Sequence, residues 1–164
     1  MPPLIIAHRG LPKSNPENTL PSFRAALEHK PDVVECDYRH SADGVPMVIH
    51  DDKLDRTTDA VAVFGRREIV IGGLKRDELR RLDAGKWFDA KFAGTVLPTL
   101  EETIDAVCPT AKLMIERKGG DPATLVPALR AFADAGVGHV QLVLDPITVE
   151  SIVALQPTVG ALGG

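Results

Sequence analysis

Two cysteines, Cys36 and Cys108, are all that 164 residues contain. That is too few for a disulfide framework and the wrong spacing for a zinc site, so both are expected as buried free thiols of a reducing compartment. There is no excess of basic charge either. Lys and Arg total 19 against 23 Asp and Glu, a net charge of −4, which leaves no electrostatic footprint for nucleic acid or an anionic membrane surface. No apolar run approaches the roughly 18 residues of a membrane helix. The opening Met1-Pro2-Pro3 and the short run Leu4 to Ala7 lack the basic and apolar regions of a secretion signal, so a cytoplasmic location is expected. Aromatic residues reach only 4%, and Trp87 and Phe88 are expected to pack rather than to form a binding platform.

What is present is an ordinary globular composition, 44% hydrophobic and 26% charged, which excludes disorder as the main state. A chain near 150 residues supports one sizeable core and not two, so residues 1–164 are expected to form a single domain.

Short apolar runs at Leu4 to Ala7, Val33 to Arg39, Val45 to Ile49, Leu113 to Ile115, Val140 to Leu144 and Val159 to Leu162 predict six strands. Between them, Leu20, Phe23 and Leu27 recur at helical spacing, as do Leu125, Leu129 and Phe132. Asp121-Pro122 and Asp145-Pro146 supply an N-cap followed by proline at the first helical position. Strand and helix alternate, which predicts a parallel sheet covered by helices, as a (β/α) barrel or an open α/β sheet. Two places depart from that rhythm. The turn Ser41 to Gly44 separates the second and third strands so closely that, taken alone, it reads as a hairpin. Residues 52–100 form a charged, glycine-punctuated insertion in which only Asp77 to Leu82 predicts a helix; another follows near Leu100 to Val107.

Polar groups gather at the C-terminal ends of the predicted strands, where α/β folds build their sites. His8 and Arg9 follow the first strand, Glu35 and Asp37 lie in the second, His50 ends the third, and Glu116 and Lys118 end the fourth. Residues two apart in a strand face the same side, so Glu35 and Asp37 share a face from which Cys36 points away, and Glu116 and Lys118 share another. So many ionisable groups aimed at a core are costly unless an ion or ligand compensates them. Three carboxylates without a thiolate suit a hard divalent cation such as Mg²⁺ or Ca²⁺. Two imidazoles suit acid–base work, and an arginine and a lysine balance an anion; the set as a whole describes phosphoryl chemistry. His29, His40 and His139 are expected to be solvated.

The motifs that carry these residues are more specific than the residues. His8-Arg9-Gly10, Pro16-Glu17-Asn18-Thr19 with Phe23, Glu35-x-Asp37, Asp43-Gly44, His50-Asp51 and Arg56-Thr57-Thr58 resemble, in order and spacing, the signature of the glycerophosphodiester phosphodiesterase family. Glu78-Leu79, Leu82-Asp83-Ala84-Gly85, Pro98-Thr99-Leu100-Glu101-Glu102 and Glu116-x-Lys118 extend it. The resemblance implies a TIM-type barrel that hydrolyses glycerophosphodiesters to glycerol 3-phosphate and an alcohol. It implies that Glu35, Asp37 and Glu116 hold the divalent cation, that His8 and His50 are the acid–base pair, and that Arg9 and Lys118 hold the phosphate. It also implies that the second and third strands run parallel, against the hairpin reading. A sphingomyelinase D-like lyase and a non-catalytic barrel that binds metal or phosphate are the alternatives. Lyases of that kind carry cysteines after the second histidine, where this chain has Asp51-Asp52-Lys53.

At the far end the family's Ser-Phe-Asp-like run is replaced by Val143-Leu144-Asp145, and only about six of eight barrel strands are accounted for. A complete barrel takes about 250 residues. Either self-association that covers open strand edges, or a marginally stable monomer whose alcohol-binding side is open, is therefore expected.

Overall fold

A computed structural model of the chain describes residues 3–119. The expected helices and strands beyond residue 119, and His139, lie outside the described residues.

Strand β1 (Ile6–His8) leads through a turn to helix α1 (Leu20–Glu28), and β2 (Val33–His40) follows. Then come β3 (Pro46–Val48), two short helices α2 (Ala60–Phe64) and α3 (Arg76–Leu79), helix α4 (Leu100–Val107) and strand β4 (Lys112–Arg117). Thr19 caps α1, its hydroxyl oxygen accepting from Ser22 N–H, with a proline in the first turn. Thr99 and Glu102 close a capping box on α4: Thr99 N–H donates to Glu102 Oε2 at 2.9 Å, and Glu102 N–H to Thr99 Oγ1 at 3.2 Å.

Strands β1 and β4 both run parallel to β2, in registers that set His8 beside Glu35 and Asp37 beside Glu116. Strand β3 runs antiparallel to β2, pairing Tyr38 with Val48 and His40 with Pro46. The hairpin reading therefore holds, and the parallel arrangement implied by the resemblance is corrected. Only residues 41–45 join the two strands, whereas a parallel crossover needs a dozen or more. Gly44 at φ +79° allows the tight reversal, and the Ser41 hydroxyl accepts from Val45 N–H at 2.9 Å. On β2, the Glu35 and Asp37 carbonyls accept from Arg9 N–H and Ile49 N–H, and the Tyr38 carbonyl accepts from Lys118 N–H. Successive carbonyls of a strand alternate between its edges, so β1 and β3 share one edge of β2 and β4 takes the other. The parallel wall among the described residues is thus β1, β2 and β4.

Two clusters fill the interior. Phe23, Val34, Cys36, Leu100, Val107 and Ile115 join α1 and α4 to the back of the sheet. Met47, Ile49, Leu54, Ile69, Ile71, Leu79, Leu82 and Leu97 form a second core, which belongs largely to the insertion. The insertion's expected helix is only the single turn of α3. Cys36 is buried as expected, but Cys108, the C-cap residue that follows α4, is exposed. His40 is half-buried rather than solvated: it meets Tyr38 edge-on, with ring centroids 5.4 Å apart, and burial lowers its proton affinity. Trp87 stacks edge-on with Phe88 and donates from Nε1 to the Ala84 carbonyl at 2.9 Å, which matches the packing reading. Among the described residues no helix is long and apolar enough to cross a membrane.

Candidate active site

Strand register does most of the assembly. Glu35 and Asp37 project from the same face of β2, and the parallel partner of Asp37 on β4 is Glu116. One oxygen from each of the three carboxylates can be chosen so that all lie within 4.8 Å of one another. Glu35 and Asp37 are buried, and Glu35 Oε1 and Asp37 Oδ1 accept no hydrogen bond. Buried acceptors are normally satisfied, so a Glu35 oxygen and an Asp37 oxygen without hydrogen bonds, the latter 3.4 Å from Lys118 Nζ, fit a hard divalent cation. Burial, and then the neighbouring Asp37, push the Glu35 carboxyl up to about 7, with Glu116 adding to the rise and Arg9 opposing it. That cost is what a bound cation would relieve.

The expected phosphate-holding residues stand at the same carboxylates. Arg9 Nε lies 3.0 Å from Asp37 Oδ2, and Lys118 Nζ lies 3.4 Å from Asp37 Oδ1 while also pairing with Glu116. Arg9 is placed by its backbone. It adopts φ +58°, a conformation that costs a non-glycine residue of order 1 kcal/mol. The surroundings hold it there. Arg9 N–H donates to Glu35 Oε2 at 2.9 Å, the Ser22 hydroxyl donates to the Arg9 carbonyl at 3.1 Å, and Leu11 N–H donates back to Ser22 Oγ at 2.8 Å. Gly10 cannot be replaced cheaply: its φ is +86° and a Cβ would stand 2.4 Å from Ser22 Oγ.

The two histidines are placed differently. His8 projects from the end of β1 with its side chain 61% exposed and Nε2 3.8 Å from Glu35 Oε2. His50, two residues past β3, has a carboxylate of its own: Nδ1 lies 2.6 Å from Asp51 Oδ1. Hydrogen bonds from Arg56, and then from His50, hold Asp51 down at about 2. An ionised carboxylate only accepts, so the proton of this bond sits on Nδ1, leaving Nε2 free.

Several residues that shape the site were not among those expected to carry it. Asn18, at φ +55°, donates from Nδ2 to Asp37 Oδ2 at 2.9 Å and accepts Asp37 N–H at 3.2 Å. Arg39 extends the 35, 37, 39 alternation on β2. It donates from Nε to the His50 carbonyl at 2.7 Å and from Nη1 to the Lys118 carbonyl at 3.2 Å, tying both flanks of β2. That alternation was a usable signal for Arg39. For Asn18 the only signal was its place inside the Pro16-Glu17-Asn18-Thr19 motif.

Three clustered carboxylates with an arginine and a lysine beside them, and His8 Nε2 at 3.8 Å from Glu35, form an arrangement that fits a divalent cation and a phosphate ester. The sequence model of the glycerophosphoryl diester phosphodiesterase family matches residues 8–146, and the chain belongs to that family. It is 40% identical over 107 residues to a glycerophosphodiester phosphodiesterase of Caldanaerobacter subterraneus, covering 65% of this chain and 41% of that one. To the Bacillus subtilis glycerophosphodiester phosphodiesterase it is 34% identical over 126 residues, covering 72% and 41%. The chain thus spans about four-tenths of the length of these curated relatives. Among solved structures, a glycerophosphodiester phosphodiesterase from Agrobacterium tumefaciens superposes with a TM-score of 0.75 at 33% identity, over 96% of this chain and 64% of that one. An Oleispira antarctica phosphodiesterase, solved with the product sn-glycerol-3-phosphate, gives 0.71 at 31% identity over 85% and 56%. The fold is accordingly of the TIM-barrel type, with β1, β2 and β4 as part of its parallel wall.

Proposed function

We propose that this chain, as one domain of residues 1–164 with an insertion at about 52–100, carries the metal-dependent centre of a glycerophosphodiester phosphodiesterase. The reaction would release glycerol 3-phosphate and an alcohol. The observation that carries the reading is the meeting of Glu35, Asp37 and Glu116 within 4.8 Å, two of their buried oxygens without a hydrogen-bond partner, with Arg9 and Lys118 both beside Asp37. Relatives named for this activity, and a neighbour solved with the product, support the substrate class.

Glu35, Asp37 and Glu116 would hold Mg²⁺ or Ca²⁺, which when bound polarises a phosphoryl oxygen. The Arg9 guanidinium and the Lys118 ammonium, both beside Asp37, would take the non-bridging oxygens of the phosphodiester. Of His8 and His50, one accepts a proton from the attacking water as its oxygen bonds to phosphorus. The other gives a proton to the alkoxide as the ester P–O bond breaks, so charge and protons balance. The test is turnover of glycerophosphocholine with Mg²⁺ or Ca²⁺ and with a chelator. Release of choline and glycerol 3-phosphate only with metal is expected; no release with either ion would overturn the assignment.

A further inference from the structure

Between the carboxylate hollow and His50 runs an unbroken chain of alternating charge. Arg9, on Asp37, donates from Nη1 to Glu17 Oε1 at 3.0 Å. Arg56 takes Glu17 from the other side, Nη1 to Oε2 at 3.0 Å and Nη2 to Oε1 at 2.8 Å. The same guanidinium forks onto Asp51, Nε to Oδ2 at 2.6 Å and Nη2 to Oδ1 at 3.1 Å, and Asp51 holds His50 Nδ1. A single exposed ion pair is worth little. An arginine bidentate on two carboxylates at once is fixed in its plane, and so is whatever those carboxylates hold.

We propose that Arg56 is a positioning residue for His50: clamped between Glu17 and Asp51, it fixes the Asp51 carboxylate on Nδ1 and limits how strongly that carboxylate stabilises the imidazolium. The inference rests on reading His50 as an acid–base group. The Asp51 oxygen that faces His50, Oδ1, is also held by Arg56, so its charge is shared between imidazole and guanidinium. Without Arg56, Asp51 would give its full charge to His50 and the imidazolium would gain. Without the charge of Glu17, Arg56 would lean wholly on Asp51 and the imidazolium would lose. Arg39 of β2 holds the backbone carbonyls of His50 and Lys118. Both substitutions leave those bonds in place.

The test is an NMR titration of the His50 ring in the full chain, assigned against His50→Gln. It needs no turnover, so an inactive protein would sink the proposed activity and leave this measurement intact. In Arg56→Gln the midpoint of the ring titration is expected to move up by about half a pH unit or more, the size of losing one partly screened charge at this range. In Glu17→Gln it is expected to move down, and in Arg56→Lys, which keeps the charge and loses the fork, up by less. Opposite signs for the two sides of the clamp are not produced by a general loosening of the fold. Midpoints that stay put in both variants, or move the same way, would overturn the proposal. Should Arg56→Gln fail to fold, Arg56→Lys and Glu17→Gln decide by the same criterion.

Discussion

At the scale of single residues, Glu35 is the most informative side chain. Its carboxyl is raised from 4.5 to about 7 by burial and by its acidic neighbours. A carboxyl that binds its proton more tightly folded than unfolded contributes stability to the metal-free fold that is fully present below the ordinary value. That contribution is lost as pH rises towards about 7, where the charged form dominates. A cation competes with the same proton, so Mg²⁺ or Ca²⁺ affinity should weaken as pH falls through neutrality, and metal should raise Tm more at about pH 8 than at about pH 5.5. Calorimetric titration and thermal melts at the two pH values check this; an affinity independent of pH would place the ion elsewhere. Glu35→Ala is expected to abolish both metal binding and turnover. His8→Ala and His50→Ala should each cost at least about 10²-fold in turnover, the lower end for a positioned acid or base, with metal affinity retained. Glu35, Asp37, Glu116, His8, Arg9 and Lys118 stand near one another as strand alternation and motif spacing predict, because those are local properties. Asp51, Arg56 and Glu17 act on one another across 39 residues of chain, a relation that no local pattern carries.

The elements show which signals outrank others. The Ser41 to Gly44 turn prevails over the parallel pairing of β2 and β3, since chain length is a hard limit and family likeness is not. The insertion was hard to read for a different reason. Its backbone is held by irregular turn bonds, such as Leu54 N–H to the Ile69 carbonyl and Ala84 N–H to the Thr95 carbonyl, and by carboxylates: Asp55 accepts from Glu68 and Ile69 N–H, and Asp83 accepts from Gly85, Lys86 and Gly94 N–H. Helical or strand periodicity does not report such loops, nor elements as short as α2 and the 3₁₀ turns at Ile71–Gly73 and Ala90–Phe92. The turn after β1 offers the sharpest test at this scale. Gly10→Ala forces a Cβ against Ser22 at a positive φ, and should destabilise the fold by about 1–3 kcal/mol. Because the same turn aims Arg9 at Asp37, turnover should fall further than the loss of folded protein explains. Denaturant melts beside kinetics on the folded fraction would separate the two; a stable variant with full turnover would show that the turn is not under strain.

For the whole molecule the open question is the outer edge of β1. Among the described residues β1 pairs with β2 alone, and its first residue Ile6, with Leu4 and Ile5 before it, stands at 46%, 69% and 65% exposure. Unpaired strand groups beside a contiguous apolar stripe form a template for association, and barrels remove such edges by closing. The active-site hollow opens at the C-terminal ends of these same strands, so whatever covers the β1 edge also bounds the site next to His8. If a second copy covers it, the apparent mass should rise with concentration, turnover per chain should rise with it, and Ile6→Lys should suppress both. A charge at that position cannot be buried in a strand-to-strand seam. Light scattering over a concentration series, run with the glycerophosphocholine assay, decides the point. A constant monomer mass with concentration-independent turnover would mean that the chain covers this edge itself and that self-association has no part in the site.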